Sequence, residues 1–285
     1  MITSVKAYAK INLALNVYDK LENGYHNVDM VTIPLALHDI IEMDPLPFGY
    51  ETMITSDDVS LPTDESNLAN LTFNKLNEKF HLQKNALIHI YKRIPMCAGL
   101  GGGSADAAAV INAAMKINKI KISDEELIEF SKTIGGDVAF CLFNRPARCR
   151  GIGEKLEFFT LKKRYHVLLV KPNEGVSTAQ AYHDYDYLDE KPAFSNIERL
   201  IEGLQSGNEQ IILEEMKNGL QASAVKIVPE IQNIIDKLKA DGFPLTMMSG
   251  SGSTVFSMSL DHHALAEEMK KFDKEKYTLI LTTTL

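Results

Sequence analysis

Between Pro95 and Asp106 the chain reads Pro-Met-Cys-Ala-Gly-Leu-Gly-Gly-Gly-Ser-Ala-Asp, and this stretch limits the fold more than any other. Before it, Asn85 to Ile94 alternates through Leu87, His89 and Tyr91 and is closed by Pro95, which is the pattern of a strand. After it, Ser104 to Met115 is rich in alanine and almost continuously apolar, which is the pattern of a buried helix. Gly99, Gly101, Gly102 and Gly103 therefore join a strand to a helix N-terminus. Glycines let the backbone wrap an anion with N–H groups turned inward, and the helix start adds partial positive charge, so the segment predicts a phosphate site. A Walker loop would end in Gly-Lys-Ser/Thr, whereas this one ends Gly-Ser-Ala with no lysine before Asp106. A dinucleotide fingerprint would place an acid at the end of a second strand about twenty residues on. Asp124 and Glu125, near that distance, sit at a predicted helix start instead.

The charge pattern fits a local anion site. The formal charge is -8, from 38 acids against 30 bases, and no basic run gives a footprint for nucleic acid. The first twenty residues carry Lys6 and Lys10 and no long apolar core, so neither a signal peptide nor a membrane anchor is expected and the protein is read as cytoplasmic. Cys97, Cys141 and Cys149 lack CxxC and zinc-ligand spacing, and all three are expected to be packing residues in a reducing compartment.

Elsewhere, Ala7 to Val17 alternates, with Ile11, Leu13, Leu15 and Val17 on one side and Lys10, Asn12, Ala14 and Asn16 on the other, predicting a half-buried strand. The turn Glu22-Asn23-Gly24 then begins a hairpin. Asn67 to Phe80 has helical spacing, and Ser123 to Glu126 spells a capping box for a helix running to about Thr133. Tyr165 to Lys171 predicts a buried strand, Ile197 to Lys239 a mostly helical stretch, and Tyr277 to Thr284 a last strand. Strands cluster early and helices late, so the fold class is α+β in two lobes, divided between Glu154 and Tyr165 and set at 1–158 and 159–285. A second glycine cluster, Met248 to Thr254, reads as a loop feeding the strand that begins at Val255. Asp137, between a glycine pair and an apolar run, is placed either at a pocket wall or as a helix cap.

Taken in this order, the segments resemble the GHMP kinases (galactose, homoserine, mevalonate and phosphomevalonate kinases). The resemblance extends from Ala7 beyond Thr254. It is most specific at Ala9-Lys10-Ile11-Asn12-Leu13, Asn23-Gly24-Tyr25-His26, Gly135 to Phe140, Gly151-Ile-Gly153-Glu154, Lys171-Pro172 and Gly175-Val176-Ser177-Thr178. It implies an N-terminal lobe like the second domain of ribosomal protein S5 and a C-terminal lobe of the GHMP kinase type. It also implies ATP with Mg²⁺, and an acceptor that joins cytidine diphosphate to a methylated four-carbon polyol, phosphorylated on its tertiary hydroxyl in the non-mevalonate route to isoprenoids. Carried over, Asp137 is the general base and Lys10 its charged partner. ATP is assigned to Pro95, Met96, Ala98, Gly99, Leu100, Gly101, Gly102, Gly103, Ser104 and Ala105, with Asn67 and Leu68 near adenine or ribose and Ser104 near Mg²⁺. The acceptor is assigned to Asn12, Tyr25, His26, Tyr182, Gly250, Ser251 and Gly252, with Tyr25 stacking on the base and His26 bonding its edge.

Four residues depart from the pattern. Tyr8 and Ala139 stand where prolines are usual, and Arg148 and Arg150 stand where small residues are usual, so extra positive charge is expected on the acceptor side. Two other readings stay open: a GHMP kinase acting on another small alcohol, and a nucleotide-binding homologue without turnover. Both monomer and homodimer remain open.

Overall fold

The computed structural model describes residues 2–47, 49–82 and 84–285. The alternating N-terminal segment forms β1 (Thr3–Lys20), and after a turn closed by Leu21 and Tyr25 the chain returns as its sheet neighbour β2 (His26–Pro45). There follow β3 (Met53–Ser56), α1 (Leu68–Phe80), β4 (Ala86–Tyr91), α2 (Gly102–Asn118), α3 (Asp124–Ser131), α4 (Val138–Phe143), β5 (Ala147–Gly151) and β6 (Lys155–Phe158). The remainder is β7 (His166–Pro172), α5 (Thr178–Asp186), α6 (Ile197–Ser206), α7 (Glu209–Glu215), β8 (Lys217–Asn218), α8 (Gln221–Ile227), α9 (Glu230–Ala240), β9 (Thr246–Met248), β10 (Val255–Ser259), α10 (His262–Met269) and β11 (Tyr277–Thr283).

The chain forms two compact units, each assembled from separate stretches. The first takes the residues up to Ala9, Leu37–Ile94 and Gly101–Asn144. Here Ile40–Pro45 of β2 pairs antiparallel with β4, and β4 pairs parallel with β3. Helix α2 packs on α1 and α4, and it buries Ala105, Ala107, Ala108, Ala109, Ala113 and Ala114, whose small side chains allow close helix approach. The predicted cap forms: the Ser123 hydroxyl accepts the Glu126 N–H at 3.2 Å, which starts α3.

The second unit takes Lys10–Ala36, Pro95–Leu100 and Arg145–Leu285. In it Val28–Thr32 of β2 pairs with β5, β5 pairs with β6, and Ala14 and Leu15 of β1 pair parallel with β8. A separate four-stranded sheet runs β11-β7-β10-β9 and is antiparallel throughout. Helix α9 covers it with Ile231, Ile234, Ile235 and Leu238, an apolar stripe at helical spacing. The helical stretch expected from Ile197 to Lys239 is interrupted by the two-residue β8.

Two expectations need correction. Residues 9–17 of β1 are buried on both faces instead of alternating. The polar face is covered because its groups are satisfied internally. Asn16 donates to the Ser195 carbonyl at 3.0 Å and accepts the Ser195 N–H at 2.8 Å, and Asn12 donates to the Thr32 hydroxyl at 2.9 Å. Cys97 is exposed, with φ at 50°, whereas Cys141 and Cys149 are buried as expected. Among the described residues no helix is long and apolar enough to cross a membrane.

Candidate functional site

The glycine segment ends in the first unit, where Gly101 takes the left-handed conformation (φ 71°) and precedes the seventeen residues of α2. Gly101 has no side chain with which to cap the helix, so the N–H groups of its first turn are left for an external acceptor. Gly102 and Ser104 are half-buried and Gly103 is exposed, while Ala105 is buried. A Cβ on Gly103 would lie 3.3 Å from Leu68 Cδ1, so Leu68 borders this turn. Asn67 has a different task. Its Oδ1 accepts the Ala69 N–H at 2.8 Å and its Nδ2 donates to the Pro62 carbonyl at 2.6 Å, both fixing the start of α1.

Asp137 stands at the N-cap position of the six-residue α4, but its backbone is right-handed helical (φ -83°, ψ -9°) and its carboxylate makes no capping bond. The helix-cap reading is therefore excluded. The residue is half-buried between Gly136 and the fully buried Val138 and Ala139. Ala139 takes a regular helical place where a proline was the expected residue.

In the second unit both glycine segments meet Lys10. Its ammonium is buried and donates to Asn12 Oδ1 at 2.7 Å and to the Gly99 carbonyl at 3.2 Å, and its backbone N–H donates to Leu100 at 3.0 Å. A Cβ on Gly250 would lie 2.9 Å from the Gly99 carbonyl, 3.1 Å from Lys10 Nζ and 3.3 Å from Asn12 Oδ1. The Ser249 hydroxyl donates to the Gly99 carbonyl at 2.9 Å. Lys10, Asn12, Gly99 and Gly250 thus form one cluster drawn from three distant parts of the sequence. Ala98 and Leu100, assigned to ATP, are buried, and Pro95, Met96 and Gly99 are half-buried.

Sequence reasoning missed Asn218. Its Nδ2 donates to the carbonyls of Met248 at 2.9 Å and Gly250 at 2.8 Å, and its Oδ1 accepts the Leu220 N–H at 2.9 Å. The loop is further held by Ser251, whose hydroxyl pairs with Thr178 at 2.9 Å, and by Ser253, which donates to the Glu174 carbonyl at 2.6 Å. Gly252, in the same loop, has φ at 88°. Gly175 packs on Cys97, where an added Cβ would come within 2.9 Å of the Cys97 Cβ. Lys171 is buried beside it and donates to the Pro172 carbonyl at 3.0 Å, and burial pulls its ammonium below the ordinary lysine value.

The aromatic residues divide. Tyr25 is half exposed on the turn, while His26 is buried. His26 Nε2 lies 2.6 Å from Asp186 Oδ1, and its ring stacks on Tyr182 with centroids 5.0 Å apart and planes at 26°. Tyr182 and Asp186 are four residues apart on α5, which puts both on the helix face that meets His26. That spacing was the signal for Asp186, a residue the sequence reading did not single out. Burial would raise the Asp186 carboxyl, but the His26 hydrogen bond and Lys20 at 3.3 Å outweigh it and hold it below the ordinary range. Asp186 also forms part of the wall of a cavity of about 690 Å³ that Lys20, Lys191 and Phe194 line.

Arg148 adds no unpaired charge, contrary to expectation. Its Nε and Nη2 bind the two oxygens of Asp29 at 2.9 and 2.7 Å, and its Nη1 reaches Glu198 at 2.6 Å. These carboxylates raise its already high pKa. Arg150 pairs with Glu157 at 3.4 Å on the surface.

Residues 67–145 match the GHMP kinases N terminal domain and residues 200–278 match the GHMP kinases C terminal domain. A 4-diphosphocytidyl-2-C-methyl-D-erythritol kinase of Caldicellulosiruptor bescii is 37% identical over 285 residues, covering 98% of this chain and 97% of that protein. The Clostridium acetobutylicum protein of the same name is 38% identical over 281 residues, covering 98% and 99%. A crystal structure of 4-(cytidine 5'-diphospho)-2C-methyl-D-erythritol kinase superposes with a TM-score of 0.80 at 27% identity, covering 99% of both chains. Homoserine kinase from Cytophaga hutchinsonii gives 0.77 at 18% identity over 100% of this chain and 94% of its own, a likeness of fold. On the two matched domains and these full-length relatives, the chain belongs to the GHMP kinase family and is a small-molecule kinase with ATP as its phosphate donor.

Proposed function

We propose that the protein phosphorylates the tertiary 2-hydroxyl of 4-diphosphocytidyl-2-C-methyl-D-erythritol, in the cytoplasm, as a step of the non-mevalonate route to isoprenoids. Full-length likeness to relatives carrying that name supports the substrate. The observation that carries the reading within the molecule is the cluster of Lys10, Asn12, Gly99 and Gly250, which ties the segment assigned to ATP to residues assigned to the acceptor.

In the proposed reaction the acceptor hydroxyl oxygen attacks the γ-phosphorus, the bond to the β–γ bridging oxygen breaks, and ADP leaves. Asp137 takes the hydroxyl proton. A tertiary alcohol is a weak nucleophile, and a placed carboxylate contributes roughly 10²- to 10⁴-fold to such a step. Lys10 offsets charge on the transferring phosphoryl group, while the first turn of α2 binds phosphate oxygens through Gly102, Gly103 and Ser104. Mg²⁺ favours oxygen donors and keeps waters and phosphates as ligands, and the Ser104 hydroxyl at the start of α2 is a donor of that kind. When bound, it supplies neutralising charge on the phosphates.

For the acceptor, Tyr25 and Tyr182 supply flat apolar faces and His26 a ring nitrogen for the base edge. Asp186 belongs with them, because it fixes the orientation of the His26 ring.

The test is phosphate transfer from ATP-Mg to the cytidine compound, with mevalonate and homoserine as parallel acceptors and mass spectrometry of the products. One added phosphate on the cytidine compound alone supports the reading. Transfer to another acceptor only would assign the chain to a paralogous activity, and no transfer to any would leave a nucleotide-binding homologue.

A further inference from the structure

Lys92 follows the last residue of β4, and its side chain is 5% exposed. Its ammonium lies between two carboxylates, 2.6 Å from Asp39 Oδ2 and 2.8 Å from Asp106 Oδ2. Asp39 is fully buried, and its other oxygen accepts the N–H groups of Arg93 at 2.5 Å and Ile94 at 2.8 Å, the residues that lead into the glycine segment. Asp106 sits near the start of α2, and its Oδ1 is buried without a hydrogen-bond partner. The ammonium also touches the helix start: a Cβ on Gly102 would come 3.5 Å from Lys92 Nζ and 3.1 Å from Ile94 Cγ2. All of these residues belong to the first unit.

A buried lysine facing two acids is a poor device for stability alone, since desolvation offsets much of the pairing and apolar residues would fill the space as well. The arrangement gains a reason from its position. No lysine or arginine lies between Pro95 and Ala105, so the turn that would receive phosphate has no cation of its own. Lys92 brings one against the first residue of α2, adding to the positive end of the helix. We propose that Lys92 is a positioning residue for the phosphates of the nucleotide, held by Asp39 and Asp106 so that its ammonium fixes the first turn of α2 and makes it positive from beneath. The proposal rests on reading the glycine segment as the phosphate site.

The charges facing Asp106 are Lys92 and Asp39. The Arg93 side chain turns to Asp57 at 2.8 Å, and the buried faces of α1 and α4 carry no carboxylate or amine. Burial raises the Asp106 carboxyl to about 7 against the pull of Lys92, so the test is run at pH 8, on the side of that value that favours its ionised form.

ATP affinity is measured by calorimetry on full-length Lys92→Met/Asp106→Asn, whose net charge equals that of the wild type because one base and one acid are removed together. The Kd for ATP is expected to rise about tenfold or more, with the KM for the acceptor changed less than about twofold. Wild-type ATP affinity in the folded double variant overturns the proposal, as does an equal change in both ligands. Should that variant fail to fold, Asp106→Asn alone decides. It keeps the Lys92 charge and its bond to Asp39 but removes one of the two carboxylates that hold the ammonium in place, so ATP is expected to bind about two- to fivefold more weakly with the KM for the acceptor unchanged. Unchanged or tighter binding overturns the proposal. Gly103→Val in the same assay tests the underlying reading. Loss of ATP binding there with unaffected Lys92 variants overturns the role of Lys92 alone, and ATP binding retained in Gly103→Val overturns both.

Discussion

A side chain at Gly99 would run into the backbone carbonyl of Ser249, so two segments 150 residues apart meet backbone to backbone. Gly99 also has φ at 69°, a left-handed value that favours glycine. Gly99→Ala therefore meets both strain and collision, and it is expected to lower stability by about 1–3 kcal/mol and to weaken ATP binding with it. Gly24→Ala is the control, because Gly24 shares the positive φ (84°) but has nothing within 4 Å of an added Cβ. If thermal melts show Gly99→Ala no less stable than Gly24→Ala, the two segments do not touch as described.

Asp137→Asn keeps the size of the side chain and removes its capacity to take a proton. Turnover is expected to fall by roughly 10²- to 10⁴-fold while ATP binding stays near normal. The helix cap gives no competing explanation, since the carboxylate makes no capping bond to α4. Steady-state kinetics and ATP calorimetry on the same preparation separate the two effects, and turnover near the wild-type value would remove Asp137 from the chemistry.

The sequence showed the glycine turn, the alanine-rich α2, the Ser123 cap and the last strand, because each is a local signal: a φ requirement, a helical period, a hydroxyl three residues before an N–H. It did not show that β1 is covered on both sides. Alternation reports polarity, and polarity stands for exposure only where polar groups find water; Asn12 and Asn16 find protein partners instead. Asn218 was invisible for a related reason. It occupies a two-residue strand inside a helical stretch, and its bonds to Met248 and Gly250 depend on tertiary approach. The neutralisation of Arg148 by Asp29 lies 119 residues away in sequence, and no local pattern carries it.

The pairing of His26 with Asp186 makes a prediction with two readouts. Asp186→Asn and His26→Ala are expected to raise the KM for the cytidine acceptor and leave ATP affinity unchanged, since neither touches the glycine turn. Equal losses for both ligands would make the pair structural. The second readout is pH. The Asp186 carboxyl is held below its ordinary value of 3.8, so the folded state binds fewer protons there than the unfolded chain. Its contribution is complete above that value and is lost as pH falls through the lower folded one. The gap in melting temperature between wild type and Asp186→Asn should hold from neutral pH down to about 4 and close below it. A gap that closes near neutrality would point to a different titrating group.

Arg148 and Asp29 allow a sharper test of stability. Asp29 is buried and spends both oxygens on the Arg148 guanidinium, whereas Glu198, the other partner, is largely exposed and contributes little. Arg148→Met leaves Asp29 buried without its counter-charge, and the expected cost is about 3–5 kcal/mol. Arg148→Lys should recover only part of this, because one ammonium cannot reproduce the two parallel bonds. Arg148→Met with Asp29→Leu removes the buried charge along with its partner, and most of the stability should return. Denaturant midpoints at equal m-values give the comparison. If Arg148→Met alone costs no more than a surface ion pair, Asp29 is solvated in solution and the pair lies at the surface.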